Sequence, residues 1–260
     1  MTQIQTETLK INDVDLNLRR AGEGETLLLL HGANGNTSWM PVFEKLSENF
    51  HVILPDHPGF GGTSTPEWMD NISDMAYFYL DVIDTLGLSN FHLAGHSMGG
   101  WVGVEIGVRD SNLIKSLTLV AAAGIWVKGT PIGDLFSWTP EETARKVFAQ
   151  KHFIKQMLTL QPSEEELEVA LKNRQMAARL CWSPRLHNPD LRKWLHRLKI
   201  PTLIMWGDCD GIFPEPYAHA YQDLIPNSTL KIYKNCGHVP MLEARDDFLK
   251  QLLAFPQEVK

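Results

Sequence analysis

Ser97 stands in Gly95-His96-Ser97-Met98-Gly99, a G-x-S-x-G pentapeptide that follows a short apolar β-type run over 91–95 and precedes a helical stretch over 101–109. So sharp a turn from strand to helix holds its central residue in strained backbone. The flanking residues must therefore lack bulk, a need that Gly95, Gly99 and Gly100 meet. The Ser97 hydroxyl is then presented at the carboxyl end of a strand. The first N–H groups of the following helix, that of Met98 foremost, point toward any anion formed there. The chemistry implied is attack by the serine on a carbonyl, with backbone donors holding the resulting oxyanion.

A serine hydroxyl is a weak nucleophile at neutral pH, so it needs a base, and the base needs an orienting carboxylate. Among ten histidines, His238 is set apart by a Gly-His turn after a late β-type run. His31 and His96 lie beside a Gly-rich loop and beside the serine, where their side chains are expected to support packing. Two acids compete for the orienting role, Asp208 and Asp210, both just after the run over 202–206.

These residues require a scaffold of strand ends. Apolar β-type runs recur at 26–31, 51–55, 91–95, 116–120, 202–206 and 230–233, and amphipathic stretches such as 73–86 fall between them. That alternation predicts an α/β fold with a mostly parallel sheet covered by helices on both faces. Alternating stretches over 8–11 and 14–18, joined by Asn12-Asp13, predict a leading antiparallel hairpin and hence a mixed sheet. From 125 to 199 the strand rhythm stops. Helices are expected there over 141–150, 163–180 and 190–197, with Thr139-Pro140-Glu141-Glu142 and Pro162-Ser163-Glu164 as start signals. The expected organisation is a core of residues 1–124 and 200–260 with a helical cap inserted over 125–199. The cap's aromatic stock, Trp126, Phe136, Trp138, Phe153 and Trp182 with Met157 and Met176, could roof an apolar pocket over Ser97.

The bulk composition narrows the partners. A net charge of −7 without a Lys/Arg stripe argues against nucleic acid, and no apolar run is long enough to span a bilayer. The first twenty residues lack the apolar stretch of a secretory signal, and three cysteines without a CxxC pair fit neither a disulfide framework nor a thiolate metal site. A cytoplasmic protein with no metal and no cofactor is expected. The sequons Asn36-Thr37-Ser38 and Asn227-Ser228-Thr229 are then read as accidental.

The pentapeptide, together with His31-Gly32-Ala33-Asn34-Gly35, Asp56-His57-Pro58-Gly59-Phe60-Gly61 and Gly237-His238-Val239-Pro240, resembles the α/β-hydrolase superfamily. The resemblance spans essentially the whole chain, is weakest over 125–199, and is nearest the small capped esterases, lactonases and carbon-carbon hydrolases. It implies a nucleophile elbow at Ser97 and a catalytic triad in the order Ser, acid, His. The family pattern of an acid three residues after the Gly that ends a strand, with Pro four further on, selects Asp210 through Gly207 and Pro214. It also implies an oxyanion hole built by the N–H groups of Met98 and Ala33, with Asn34 as the alternative to Ala33. Asp56 is expected to tie loop amides.

The function implied is a serine esterase acting on a small carboxylic ester or lactone that is apolar or aromatic in part, with Asn34, Trp126, Trp138 and Trp182 as pocket candidates. A carbon-carbon bond hydrolase acting on a vinylogous diketone is the enzymatic rival. Such enzymes tend to carry Asn before the nucleophile and Trp shortly after the catalytic His, whereas here stand His96 and Val239-Pro240-Met241. A non-catalytic small-molecule receptor on the same fold is the other alternative.

Overall fold

The computed structural model describes residues 3–36 and 38–259. Thr37, on which the first sequon turns, and Met1 and Thr2 of the leader reading lie outside the described residues. Eight strands form one sheet in the order β1-β2-β4-β3-β5-β6-β7-β8. They are β1 (Gln5–Ile11), β2 (Val14–Ala21), β3 (Thr26–Leu30), β4 (His51–Pro55), β5 (Phe91–His96), β6 (Ile114–Val120), β7 (Thr202–Gly207) and β8 (Ser228–Tyr233). The expected hairpin is present and longer than its alternating core, closing at Ile11 opposite Val14 with Asn12 at φ 54°. β2 pairs antiparallel with β4, and every later pairing is parallel. The runs Leu27–Leu30, Val52–Pro55 and Leu203–Gly207 are buried throughout, as strands covered on both faces must be.

The helices are α1 (Pro41–Ser47), α2 (Ile72–Thr85), α3 (Met98–Arg109), α4 (Pro140–Val147), α5 (Lys151–Thr159), α6 (Glu164–Cys181), α7 (Pro216–Leu224), α8 (Pro240–Glu243) and α9 (Arg245–Glu258). Strand alternation sends successive side chains to opposite faces. Leu28, Leu30, Leu93, Leu119 and Trp206 pack in one cluster with α2, α3 and α7. Leu27, Leu29, Ala94, Val120 and Met205 pack in another with α1, α8 and α9.

Between β6 and β7 the chain leaves the sheet for α4, α5 and α6. Capping boxes at Thr139 with Glu142 and at Ser163 with Glu166 start α4 and α6 where their hydroxyls and acids predict. The stretch expected as one helix over 141–150 instead breaks at Phe148. Tertiary partners take the backbone groups that would have continued it. Lys146 O accepts from Gly211 N–H, Val147 O accepts from His238 N–H, and the Glu243 carboxylate accepts from the N–H groups of Ala149 and Gln150. The segment over 190–197 also departs from expectation, forming two 3-10 turns, 191–193 and 195–197, that bury Leu191 and Leu195. Pro201 bars a helical continuation and the chain must enter β7 at Thr202.

α6 is tied down at its middle. Asn173 Oδ1 accepts from Gly61 N–H at 2.9 Å and its Nδ2 donates to Asn34 O at 2.8 Å, while Lys172 Nζ donates to the carbonyls of Gly61 and Thr63. One helix therefore fixes both the 56–64 turn and the loop that carries Ala33.

Candidate active site

Ser97 sits between β5 and α3 at φ 54° and ψ −115°, a backbone region that costs a non-glycine residue roughly 1–3 kcal/mol. The surroundings over-determine it. Ser97 N–H extends the β5–β6 ladder by donating to Val120 O at 2.8 Å, and Ser97 O accepts from Trp101 and Ala123. The glycines are required by close approach rather than by turn conformation. A Cβ on Gly95 would run into the Gly99 carbonyl, and one on Gly99 into the Leu30 carbonyl. The elbow is thereby pressed against the end of β3. The loop after that strand lies directly over it, since a Cβ on Gly32 would touch the His96 ring and Ser97 Cβ at 3.0 and 3.3 Å.

The two acids separate cleanly. Asp210 is buried; its Oδ2 accepts from His238 Nδ1 at 2.8 Å, while Oδ1 accepts from the N–H groups of Ile212 and Phe213 at 2.8 and 3.0 Å. Asp208 points elsewhere, accepting from Cys236 N–H at 3.4 Å and pairing with Lys234 at 3.6 Å. The geometry brings Asp210, not Asp208, to His238. Because Nδ1 donates to the carboxylate, His238 Nε2 is left as the acceptor.

Three other histidines support the loops. His31 Nδ1 donates to Gly32 O, His31 Nε2 accepts from His57 N–H, and His57 Nε2 donates back to His31 O. Burial pushes His31 down to about 4, so a neutral imidazole braces the Ala33 loop. His96 Nε2 donates to His238 O at 2.9 Å, its ring 4.9 Å from that of His238. Burial, and then the nearness of His238, push His96 down to about 3. Asp56 accepts from Asn17 Nδ2 and Gly62 N–H and pairs with Arg19, which is the loop-tying role expected of it. Cys236 is buried, and burial raises its thiol far above the ordinary range, so it is no thiolate.

Glu243 has no motif and is not singled out by the sequence. It is partly buried. Its Oε1 accepts from Ala149 and Gln150 N–H at 2.9 and 2.7 Å, and its Oε2 from Gly237 N–H at 2.6 Å. The one available signal is an acid five residues after the candidate base.

A cavity of about 620 Å³ opens over Ser97 and His238. Ala33, Asn34 and Trp138 line it, with Phe136 and Met157. Trp126 and Trp182 do not. Trp126 is 48% and Trp182 55% exposed; Trp182 lies under the Arg185 guanidinium, 4.2 Å from its ring centre. The reason for Trp182 is helical geometry. Ala170, Arg174 and Ala177 form the cavity face of α6, and a residue five beyond Ala177 is off that face. Phe153 is also elsewhere, stacked on Phe148, and Met176 is packed into the core.

Among the described residues, the N–H groups of Ala33 and Met98 have no protein acceptor. Among the same residues, no cluster of His, Cys, Asp and Glu could hold a metal ion, and no helix is long and apolar enough to cross a membrane.

Residues 27–251 match the alpha/beta hydrolase family, and the chain belongs to that family. It is a hydrolase on this fold. It is 32% identical to Lipase 1 of Psychrobacter immobilis over 89% of this chain and 77% of that one. It is 27% identical to a 2-hydroxy-6-oxo-6-(2'-aminophenyl)hexa-2,4-dienoic acid hydrolase of Metapseudomonas resinovorans, over 93% and 87%. A solved serine hydrolase involved in carbazole degradation superposes with a TM-score of 0.77 at 25% identity, covering 98% of this chain and 99% of that one.

Proposed function

We propose that the chain is a serine esterase that cleaves a small carboxylic ester or lactone, apolar in part, through an acyl-enzyme on Ser97. The observation that carries this reading is the buried Asp210–His238 hydrogen bond of 2.8 Å at the wall of the cavity that Ser97 also lines. His238 Nε2 takes the proton from Ser97 Oγ as that oxygen attacks the carbonyl carbon. Asp210 stabilises the imidazolium, and the N–H groups of Met98 and Ala33 hold the oxyanion. The proton then passes from His238 to the leaving alkoxide. Water enters, gives a proton to His238 as it attacks the acyl carbon, and the acid departs as Ser97 recovers its proton. Residues 125–199 act in this reading as an inserted cap over a core of 1–124 and 200–260.

The test is covalent labelling by a fluorophosphonate together with steady turnover of p-nitrophenyl esters. Wild type should label once per chain and turn over repeatedly, and Ser97→Ala should do neither. Labelling that survives Ser97→Ala sinks the assignment. One observation keeps the carbon-carbon reading in play: Arg174 is among the residues that line the cavity, its Nη2 donating to Phe136 O at 2.9 Å, and a dienoate carboxylate could pair with its charge. Turnover of an aryl dienoate with no activity on p-nitrophenyl esters would put that reaction first. A single slow turnover with the ligand retained would mark a receptor.

A further inference from the structure

We propose that the acyl group of the substrate descends beneath Ser97 into an apolar lobe between the sheet and helices α1 and α9, and that the enzyme therefore selects linear, medium-chain acyl esters. This rests on the serine-esterase reading and adds to it a binding site and a substrate class.

The cavity over Ser97 has two sets of walls. One is the roof, made by Phe136, Trp138 and Met157 of the inserted segment. The other lies within the second apolar cluster, on the opposite side of the elbow, and is made by Leu46, Leu54, Ala94, Val120, Phe248 and Leu252. Strand alternation explains how one void reaches both. Ala94 is two residues before His96, so the two share a face of β5, and that is the face covered by α1 and α9. In register beside Ala94 stands Leu29 of β3. An alanine at this point of a central strand leaves space beneath the elbow that a larger residue would fill.

The chemistry of the lobe is one-sided. Six of its walls are aliphatic or aromatic side chains, each at most 4% exposed, with no charged or hydrogen-bonding side-chain group among them. A hydroxyl, amide or carboxylate placed there would lose its water without compensation, whereas each methylene gains by leaving water. An unbranched alkyl chain is the occupant that fits.

The two-step reaction decides which half of an ester goes there. The alcohol must leave and water must enter while the acyl group stays bonded to Ser97. The roofed lobe meets solvent at Met157, 36% exposed, and suits a departing group. The lobe with buried walls beneath Ser97 suits the group that is held through both steps.

The decisive experiment uses the wild-type chain and an octyl fluorophosphonate. Ser97 Oγ forms a bond to phosphorus, the P–F bond breaks with loss of fluoride, and the serine proton passes to His238. A crystal structure of the adduct should show the octyl chain between Ala94 and Leu252; an octyl chain lying under α6 against Trp138 overturns the assignment while leaving the serine-esterase reading intact. Failure to label Ser97 overturns both.

A kinetic series supports or opposes it independently. For p-nitrophenyl acetate, butyrate, hexanoate and octanoate, kcat/KM should rise by up to about fourfold per added methylene until the lobe is filled. In Ala94→Leu the octanoate-to-acetate ratio should fall at least tenfold from its wild-type value. A flat wild-type series, or an unchanged ratio in Ala94→Leu, counts against the lobe.

Discussion

His238 donates its backbone N–H to the carbonyl of Val147 at 2.7 Å, so the proposed base hangs from the last residue of α4 rather than from the sheet alone. Gly237 is a glycine for the same reason, since a Cβ there would strike that carbonyl. The acid loop is tied to the same place through Gly211 N–H and Lys146 O at 3.0 Å. The end of α4 is thus a common strut for both loops.

Glu243 completes this strut, and its removal should be felt in stability and turnover together. Glu243→Ala leaves three backbone donors without their carboxylate, a loss of about 3 kcal/mol or more. For a chain of this size that is a Tm lower by roughly 6–12 °C in a thermal melt. Glu243→Gln should recover most of the Tm, because an amide oxygen can still serve Ala149 and Gln150. In both variants kcat should fall more than KM rises; an unaltered kcat in Glu243→Ala would remove the strut from the account of activity.

The two candidate acids make opposite predictions. Asp210→Asn should lower kcat/KM for a p-nitrophenyl ester by about 10⁴-fold, because His238 loses the carboxylate that fixes its tautomer. Asp208→Asn should stay within about threefold, its ion pair with Lys234 being a loose one at the surface. Equal losses in the two would contradict the geometry.

Acid should destabilise the fold through His31 and His96. Their folded values, about 4 and about 3, lie below the unfolded value near 6.5, so between these limits the unfolded chain binds protons that the native chain does not. Stability is therefore full above about pH 6.5 and falls as pH drops, through His31 toward about 4 and through His96 toward about 3, each adding a slope of about 1.4 kcal/mol per pH unit within its window. Urea titrations of wild type and His96→Asn between pH 7 and pH 4 should show the shallower slope in the variant.

The aromatic residues between β6 and β7 should divide in kinetics as they do in space. Trp138→Ala should raise KM for aryl esters severalfold, since Trp138 lines the cavity. Trp126→Ala and Trp182→Ala should leave kcat/KM within about twofold, as surface changes away from a site usually do. A large effect of Trp182→Ala on KM would call for a different roof.

Much of the site is local in sequence and was legible for that reason. Gly95, Ser97 and Gly99 specify the elbow because the steric demand of a strand-to-helix turn falls on adjacent residues. The leading hairpin and the parallel strands likewise follow from runs whose period of two, or lack of it, reports one or two buried faces. Local residues alone did not separate Asp208 from Asp210, which the family resemblance did in favour of Asp210: two residues of one turn point apart, and the positions of His238, Lys234 and the Ile212 and Phe213 amides give the physical reason.

By itself the sequence determined the sheet, the elbow at Ser97 and the turn that carries His238, because propensity, periodicity and close-packed glycines act over a few neighbouring residues. Tertiary structure alone decided that the helix over 141–150 breaks, that Glu243 gathers the N–H groups of Ala149 and Gln150 from across the chain, that Trp126 and Trp182 face away, and that an apolar lobe runs beneath Ser97. Each of these depends on which backbone groups and side chains, far apart in the chain, compete for the same hydrogen bond or the same volume.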